Sequence, residues 1–231
     1  MVERPYVLLS CGMSIDGYLD NATGNRLLLS NDADFDRVDA VRADCDAILV
    51  GAETVRQDNP RLLVRSAARR QARVARGLPP TPVKVTVTGR GELDPAARFF
   101  VTGEIDKLVY CARPALATTR QRLDQVATVV DSGDPVDLHR VVADLHERGV
   151  RRLMVEGGGT IHTQFLTAGL VDELHLVIAP FFVGDSRAPR FVRDGSFPWG
   201  PDRRAHLAEV RQIGDVVLLR YALSDRFDDE A

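Results

Sequence analysis

Three segments of this 231-residue chain place polar or glycine residues directly after an apolar run. Residues 12–17 carry one carboxylate, Asp16; residues 50–65 alternate hydroxyl, acid and arginine side chains; and residues 156–160 contain three consecutive glycines. Ligands of open α/β sheets bind beyond the carboxyl ends of strands, where these groups would lie. Consecutive glycines before a helix let backbone N–H groups approach an anion. Each segment alone could be an ordinary turn, although the glycine segment resembles a phosphate cradle and the polar groups after residue 50 are well placed to meet a ligand.

Along the chain, strand-like and helical patterns alternate as in an α/β fold. Strand-like runs at 6–11, 47–50, 83–88, 107–111, 128–131 and 152–155 alternate with helical patterns at 33–44, 118–125, 137–148 and 161–168. Runs at 173–179, 206–212 and 216–223 then follow without a helix, and residues 213–215 are typical of a hairpin turn. We therefore predict an α/β fold with a mainly parallel central sheet, antiparallel C-terminal strands and flanking helices. A single domain over residues 1–224 and an acidic tail at 225–231 are expected.

Composition argues against several classes of protein. The 30 basic and 33 acidic side chains nearly balance, which disfavours a dedicated nucleic-acid binder. The three cysteines are far apart, so neither a disulfide framework nor a CxxC metal or redox site is expected, and a reducing cytoplasmic setting follows. No apolar run reaches the length of a membrane span. The two lysines, Lys84 and Lys107, leave little scope for Schiff-base chemistry.

The segment 65–82 is rich in arginine and ends in prolines. We interpret it as an exposed helical excursion. A nucleic-acid surface is the alternative, and the absence of aromatic residues between the charges favours a solvated arm.

Four motifs in order resemble a known family. They are residues 12–17, residues 48–51 with Thr54, Val55 and 58–62, residues 156–160, and residues 169–174 followed by 178–180 and Gly184. Over nearly the whole chain they resemble the pyrimidine reductases of riboflavin biosynthesis, which belong to the dihydrofolate-reductase-like superfamily. The resemblance implies a three-layer dihydrofolate-reductase-like fold and a homodimer that binds a phosphorylated small molecule, with no membrane or nucleic-acid partner.

The reaction that the resemblance implies is reduction of the ribosyl group of a ribosylamino-pyrimidine 5′-phosphate to ribityl, with NADPH, or alternatively NADH, as the hydride source. The H-x-E and P-C-x-x-C signature of a zinc deaminase is absent from the sequence, which favours 2,5-diamino-6-ribosylamino-4(3H)-pyrimidinone 5′-phosphate as the substrate. The alternatives are the deaminated aminouracil, another dihydrofolate-reductase-like reductase, and a non-catalytic nucleotide-binding module.

The resemblance also assigns site residues. Cofactor contacts fall on Gly12, Thr54, Asp58, Thr86, Val87, Thr88, Gly89, Gly157, Gly158, Gly159 and Thr160. Substrate contacts fall on Arg42, Leu62, Arg65 and Glu156, and the forked donors of the two arginines suit a 5′-phosphate. Asp16 and Glu156 are the carboxylates expected to deliver or orient a proton. Arg90 is the candidate partner for the 2′-phosphate of NADPH, and no metal site is expected.

Overall fold

The computed structural model describes residues 3–23 and 27–227. Its strands are β1 (Tyr6–Ser14), β2 (Ala47–Gly51), β3 (Val83–Thr88), β4 (Lys107–Cys111), β5 (Thr128–Asp131), β6 (Arg152–Glu156), β7 (Glu173–Ala179), β8 (His206–Ile213) and β9 (Val216–Ala222). Its α-helices are α1 (Asp32–Ala43), α2 (Ala52–Asp58), α3 (Ala67–Ala75), α4 (Arg98–Val101), α5 (Leu116–Leu123), α6 (Leu138–Glu147) and α7 (Gly159–Thr167). A 3₁₀ turn at Arg113–Ala115 precedes α5.

Contacts within the chain divide it into two compact units, and each is described by itself. The first consists of residues 3–5 and 39–154. Its strands lie in the order β5-β4-β3-β2-β6, and β2, β3, β4 and β5 pair in parallel. Five of the six residues of β3 are buried, as expected for a strand with parallel neighbours on both sides. The carboxyl ends of β2 and β3 are in register, with Gly51 opposite Val87.

The second unit consists of the described residues of 6–38 and 155–227. Its strands lie in the order β1-β7-β9-β8, with β1 and β7 parallel and the pairs β7-β9 and β9-β8 antiparallel. The turn between β8 and β9 contains Gly214 at φ 62°, a left-handed conformation that glycine adopts without a steric penalty. The predicted hairpin and the change from parallel to antiparallel pairing are therefore confirmed.

A buried polar network joins the start of α1 to the sheet of this second unit. Arg37 contacts His175 Nδ1 at 3.2 Å, and His175 Nε2 lies 2.7 Å from Glu173 Oε1, which Arg220 also contacts at 2.8 Å. A neutral imidazole fits these partners, because Nδ1 accepts from Arg37 while the Nε2 proton goes to the carboxylate. Burial lowers the pKa of His175, which favours that neutral form, although Glu173 opposes the shift. The network thereby fixes α1 on β7.

Most strand predictions match the structure to within a residue, and the exceptions have physical causes. β1 continues to Ser14, three residues beyond the predicted end at residue 11, because its last residues still pair with β7. The short helix α2 was missed because its seven residues bury only Ala52 and Val55, so that the rest has the composition of a loop. The single domain predicted over residues 1–224 stays a prediction.

The prediction that the arginine-rich segment 65–82 is a solvated arm is wrong in part, because one of its arginines is buried. It forms α3, which Ser66 caps by accepting a hydrogen bond from the backbone N–H of Arg69. Arg73 is only 2% exposed, and its guanidinium donates to the carbonyls of Ala43, Cys45 and Pro79 at 2.7–2.8 Å. This side chain therefore anchors α3 to the end of α1.

The predicted tail at 225–231 lies partly outside the described residues. Its start is held in place, since Arg226 lies 3.2 Å from the buried carboxylate of Asp172. None of the helices in the described ranges is long and apolar enough to cross a membrane.

Candidate functional site

In the first unit, two of the predicted cofactor residues lie on α2, directly beyond the end of β2. Thr54 is half-buried and Asp58 is exposed in the last turn of the helix. The chain then passes through Asn59 and Leu62, two non-glycine residues with left-handed backbones at φ 44° and 47°. The Asn59 side chain stabilises this bend by accepting a hydrogen bond from the backbone of Arg98 at 2.6 Å. Strained conformations of this kind gather at functional sites, and here they place Leu62 with only 4% of its surface exposed.

The end of β3 carries the next group of predicted cofactor residues. Thr86, Val87 and Thr88 are buried, and Gly89 is exposed where the strand ends. The Thr88 hydroxyl accepts a hydrogen bond from the backbone of Gly91 at 3.0 Å, which shapes the turn carrying the exposed Arg90. The buried Thr86 hydroxyl has no hydrogen-bond partner within the described ranges. A buried polar atom of this kind costs free energy unless something else supplies a partner, so it is a feature that a bound ligand would explain.

The predicted substrate arginines, Arg42 and Arg65, lie near one another in the same unit. Arg42 reaches the carbonyl of Leu63 at 3.5 Å, and the exposed Arg65 follows two residues later. The backbone of Arg65 is held by Asp39, a 3%-exposed carboxylate that also accepts from the Ser66 N–H and from Arg69. Burial alone would raise the pKa of Asp39, but these donors outweigh it and the pKa is lowered.

Asp39 is a residue that the sequence analysis missed. The available signal was its spacing of three from Arg42, which puts both on one side of α1.

In the second unit, Gly12 lies in β1 opposite Val177 of β7. A Cβ atom at this position would lie 3.2 Å from the carbonyl oxygen of Leu29 and 3.3 Å from its Cβ. Both separations are tight, so the glycine lets the segment before α1 pass close to the strand. Close packing against Leu29 therefore explains a glycine at position 12, in addition to the predicted cofactor contact.

Asp16 occupies the turn beyond β1 and is surrounded by hydrogen-bond donors. Its carboxylate accepts from the Ser14 hydroxyl at 2.6 Å, from the Val183 N–H at 3.1 Å and from the Gly184 N–H at 2.8 Å. Desolvation raises the pKa of the Asp16 carboxyl, but the hydrogen bonds outweigh it and lower the pKa to about 2. Asp16 is therefore ionised near neutral pH, which suits orientation of other groups and argues against proton delivery.

The glycine-rich segment joins β6 to α7. Glu156 is the half-buried last residue of β6, and Gly157 and Gly158 follow with φ values of 72° and 90° that side chains rarely adopt. Gly158 is the N-cap of α7 and supplies no side-chain cap. The first N–H groups of a helix have no partner within the helix, so this end of α7 can present donors and a partial positive charge to an anion. The exposed Thr160 lies in the first turn.

The described ranges contain no group of three or more His, Cys, Asp or Glu side chains that could hold a metal ion. All three cysteines are free thiols, and Cys45 and Cys111 are buried. Burial raises the pKa of Cys45 to about 12, so this thiol stays protonated and is a poor nucleophile.

Comparisons with known proteins agree with this picture. Residues 5–219 match the family model of the RibD C-terminal domain. The chain is 34% identical to the 2,5-diamino-6-ribosylamino-4(3H)-pyrimidinone 5′-phosphate reductase of Archaeoglobus fulgidus, over 97% of this chain and 99% of that protein. It is 38% identical to the protein of the same name from Methanothermobacter thermautotrophicus, over 95% and 99%. A solved pyrimidine reductase-like protein from Corynebacterium diphtheriae superposes with a TM-score of 0.81 at 25% identity, covering 94% of this chain and 91% of that one.

Proposed function

Because the chain belongs to the RibD C-terminal domain family, we propose that it reduces the ribosyl group of 2,5-diamino-6-ribosylamino-4(3H)-pyrimidinone 5′-phosphate to ribityl, with NADPH as the hydride donor. Two relatives that the chain matches over 99% of their length carry the name of this reductase, which supports the proposal. Opening of the ribose ring gives an imine at its first carbon, and this carbon accepts the hydride. The protein contributes mainly orientation of the reactants and exclusion of water.

The observation that carries the proposal is the start of α7. The two left-handed glycines and the helix N-terminus without a side-chain cap suit the pyrophosphate of a nicotinamide dinucleotide. The buried Thr86 hydroxyl, which has no partner among the described residues, is a second feature that such a cofactor fits. We propose that the cofactor is held by Gly12, Thr54, Asp58, Thr86, Val87, Thr88, Gly89, Gly157, Gly158, Gly159 and Thr160. When bound, it supplies the hydride.

The substrate is proposed to bind Arg42, Leu62, Arg65 and Glu156. Arg65 is exposed, and its backbone is fixed by Asp39, so its guanidinium starts from a defined point of the loop. Forked N–H donors match a phosphate group, and the Glu156 carboxylate can accept hydrogen bonds from the amino groups of the pyrimidine. The diaminopyrimidinone has one more amino group than the deaminated uracil, and this group can donate a further hydrogen bond to the Glu156 carboxylate.

The reaction also needs a proton on the oxygen of the opened sugar or on the imine nitrogen, which becomes the amine that joins the ribityl group to the pyrimidine. Asp16 is a poor source because its hydrogen bonds keep its pKa at about 2. We therefore assign proton delivery to Glu156 or to an ordered water molecule, and orientation to Asp16.

We further propose a homodimer that works in the cytoplasm. Leu207, Val210 and Val217 are 44%, 61% and 36% exposed. Leu207 and Val210 lie opposite Tyr221 and Leu219 of β9, so they share one face with Val217. An apolar face of this kind is typical of a subunit interface. Val210→Asp is expected to give a monomer in light scattering, and a wild-type protein that is itself monomeric would contradict the proposal.

The experiment that tests the proposed function offers purified protein the aminated and the deaminated substrate side by side with NADPH. Steady NADPH oxidation with a higher kcat/KM for the aminated pyrimidine is expected. Glu156→Gln is the matched variant, because it keeps the size of the side chain while removing the charge, and it should lose most of that preference. Binding of both ligands without turnover would indicate a non-catalytic module instead.

A further inference from the structure

A long irregular segment of the second unit, residues 181–195, contacts the turn that follows β1, the strand of Gly12, and the first turns of α7, the helix that follows the glycine motif. It follows β7 and passes first beside the turn after β1 and then beside the start of α7. We refer to residues 181–195 as the strap. Its contacts at the two places differ in kind, and each set has its own anchoring side chain.

At the first place the strap is joined to the turn of residues 14–19 by backbone and carboxylate hydrogen bonds. The N–H of Ile15 donates to the carbonyl of Phe181 at 2.9 Å, and the N–H groups of Val183 and Gly184 donate to the Asp16 carboxylate. Asp16 in turn accepts from Ser14, the last residue of β1. One carboxylate therefore ties the end of β1 to the strap.

Further along, the strap pairs again with the same turn. The N–H of Leu19 donates to the carbonyl of Pro189 at 2.8 Å, and the N–H of Phe191 donates to the carbonyl of Gly17 at 3.0 Å. The Arg190 guanidinium lies 4.8 Å from the centre of the Tyr18 ring and donates to its hydroxyl at 3.0 Å. The turn is thus enclosed by the strap on both sides of Tyr18.

At the second place the strap packs against the first turns of α7. The Thr163 hydroxyl donates to the carbonyl of Gly159 at 2.7 Å and accepts from the N–H of Arg193 at 2.8 Å. The fully buried His162 contributes a 3.3 Å contact between Nδ1 and the carbonyl of Phe191. The carbonyl oxygen of Arg190 lies where a side chain at residue 159 would begin, 2.2 Å from the position of a Cβ atom.

We propose that the strap sets the end of β1 and the start of α7 in a fixed relation, and that Asp16 and Thr163 are the positioning residues that hold it. The inference rests on the proposed function, because that proposal places both segments against the cofactor. Gly159, the third glycine of the motif, then leaves room for the strap to approach α7, whereas Gly157 and Gly158 allow the left-handed backbone of the turn. The strap, rather than the site residues alone, determines how accurately the cofactor is placed.

The test compares Asp16→Asn and Thr163→Val with two matched variants. Thr163→Ser restores the hydroxyl. Asp185→Asn makes the same chemical change within the strap at a carboxylate whose contacts, among the described residues, are to Arg187 two positions away. Thermal denaturation verifies that each variant is folded before it is used.

Hydrogen exchange is the first measurement, and it does not depend on activity. Asparagine keeps one acceptor oxygen but lacks the charge and the second oxygen, so Asp16→Asn should speed exchange at the Val183 and Gly184 amides about tenfold or more. Thr163→Val should speed exchange at the Arg193 amide roughly fivefold, and Thr163→Ser should restore it. Asp185→Asn should leave the Val183 and Gly184 amides unchanged. Unaltered exchange in both Asp16→Asn and Thr163→Val would overturn the proposal.

Kinetics is the second measurement, and it separates positioning from proton transfer. Asp16→Asn and Thr163→Val should each raise the KM for NADPH by a larger factor than they lower kcat, with the pH profile of kcat unchanged. Loss of one limb of that profile in Asp16→Asn would show that Asp16 transfers a proton and would refute the positioning role. If the wild-type enzyme fails to oxidise NADPH with substrate, the proposed function fails, while the exchange data still decide the role of the strap.

Discussion

Replacement of Gly159 by alanine should have two opposing effects on the stability of the protein, and the two effects differ in size. Gly159 is the first residue of α7, and alanine is favoured over glycine in a helix by about 0.5–1 kcal/mol. Its backbone lies outside the left-handed region, so the alanine backbone itself is not strained there. On propensity alone, Gly159→Ala would stabilise the protein.

The opposing effect is the collision with the strap. The added Cβ would lie 2.2 Å from the carbonyl oxygen of Arg190, whereas carbon and carbonyl oxygen in contact are usually about 3.3 Å apart. The obstacle is a backbone oxygen, which cannot move aside as a flexible side chain can, so the strap must shift by about 1 Å. Overpacking of this kind costs about 1–3 kcal/mol. The collision exceeds the propensity gain, and we expect a net loss of about 1–2 kcal/mol.

Chemical denaturation of wild type and Gly159→Ala measures this loss, and an NADPH titration of both proteins should show weaker binding by the variant. Gly200→Ala is the control, because a Cβ at that position meets nothing within 4 Å and its backbone is not left-handed. Its free energy of unfolding should stay within about 0.5 kcal/mol of the wild-type value. A Gly159→Ala variant at least as stable as wild type would refute the account of the close approach.

Three further predictions concern single side chains. Lys84 is fully buried, donates to the carbonyls of Phe99 and Thr102, and has its pKa lowered by burial to about 8 from 10.5. Because the unfolded chain keeps this proton longer, the wild-type free energy of unfolding should rise between pH 8 and 10.5 by up to about 3 kcal/mol relative to Lys84→Met; parallel denaturation curves across that range would contradict this. Arg65→Ala should raise the KM for the phosphorylated substrate about tenfold or more and leave NADPH affinity intact, and weakened NADPH binding instead would move Arg65 to the cofactor. Arg90→Ala should raise the KM for NADPH more than the KM for NADH. Equal effects on the two KM values would show that Arg90 does not bind the 2′-phosphate.

The sequence predicts the strands well because most are short runs rich in apolar or β-branched residues, as in β2 and β3. It predicts α2 poorly because a seven-residue helix that buries two side chains has no clear period. The burial of Arg73 could not be predicted from the sequence, because its three acceptors are backbone carbonyls that the fold brings together. Composition alone cannot show where a guanidinium will find carbonyls.

The candidate site shows the same division between local and distant information. Glycines with left-handed backbones at 157 and 158 are visible as a motif, because the turn itself requires them. The lowered pKa of Asp16 cannot be predicted from the local sequence, because its donors at Val183 and Gly184 lie 167 and 168 residues away along the chain. Local sequence therefore locates the segments of the site, while the ionisation and role of their side chains depend on contacts that only the fold supplies.

Hydride transfer from NADPH to the first carbon of the ribosyl group can be followed with an isotopic label. The most direct measurement uses NADPH carrying deuterium at the transferred position, with the diaminopyrimidinone substrate and product analysis by mass spectrometry and NMR. The expected result is a ribityl product with one deuterium on that carbon and an equal amount of oxidised cofactor. Unchanged substrate, or product that carries no deuterium with either hydrogen of the reduced nicotinamide labelled in turn, would contradict it.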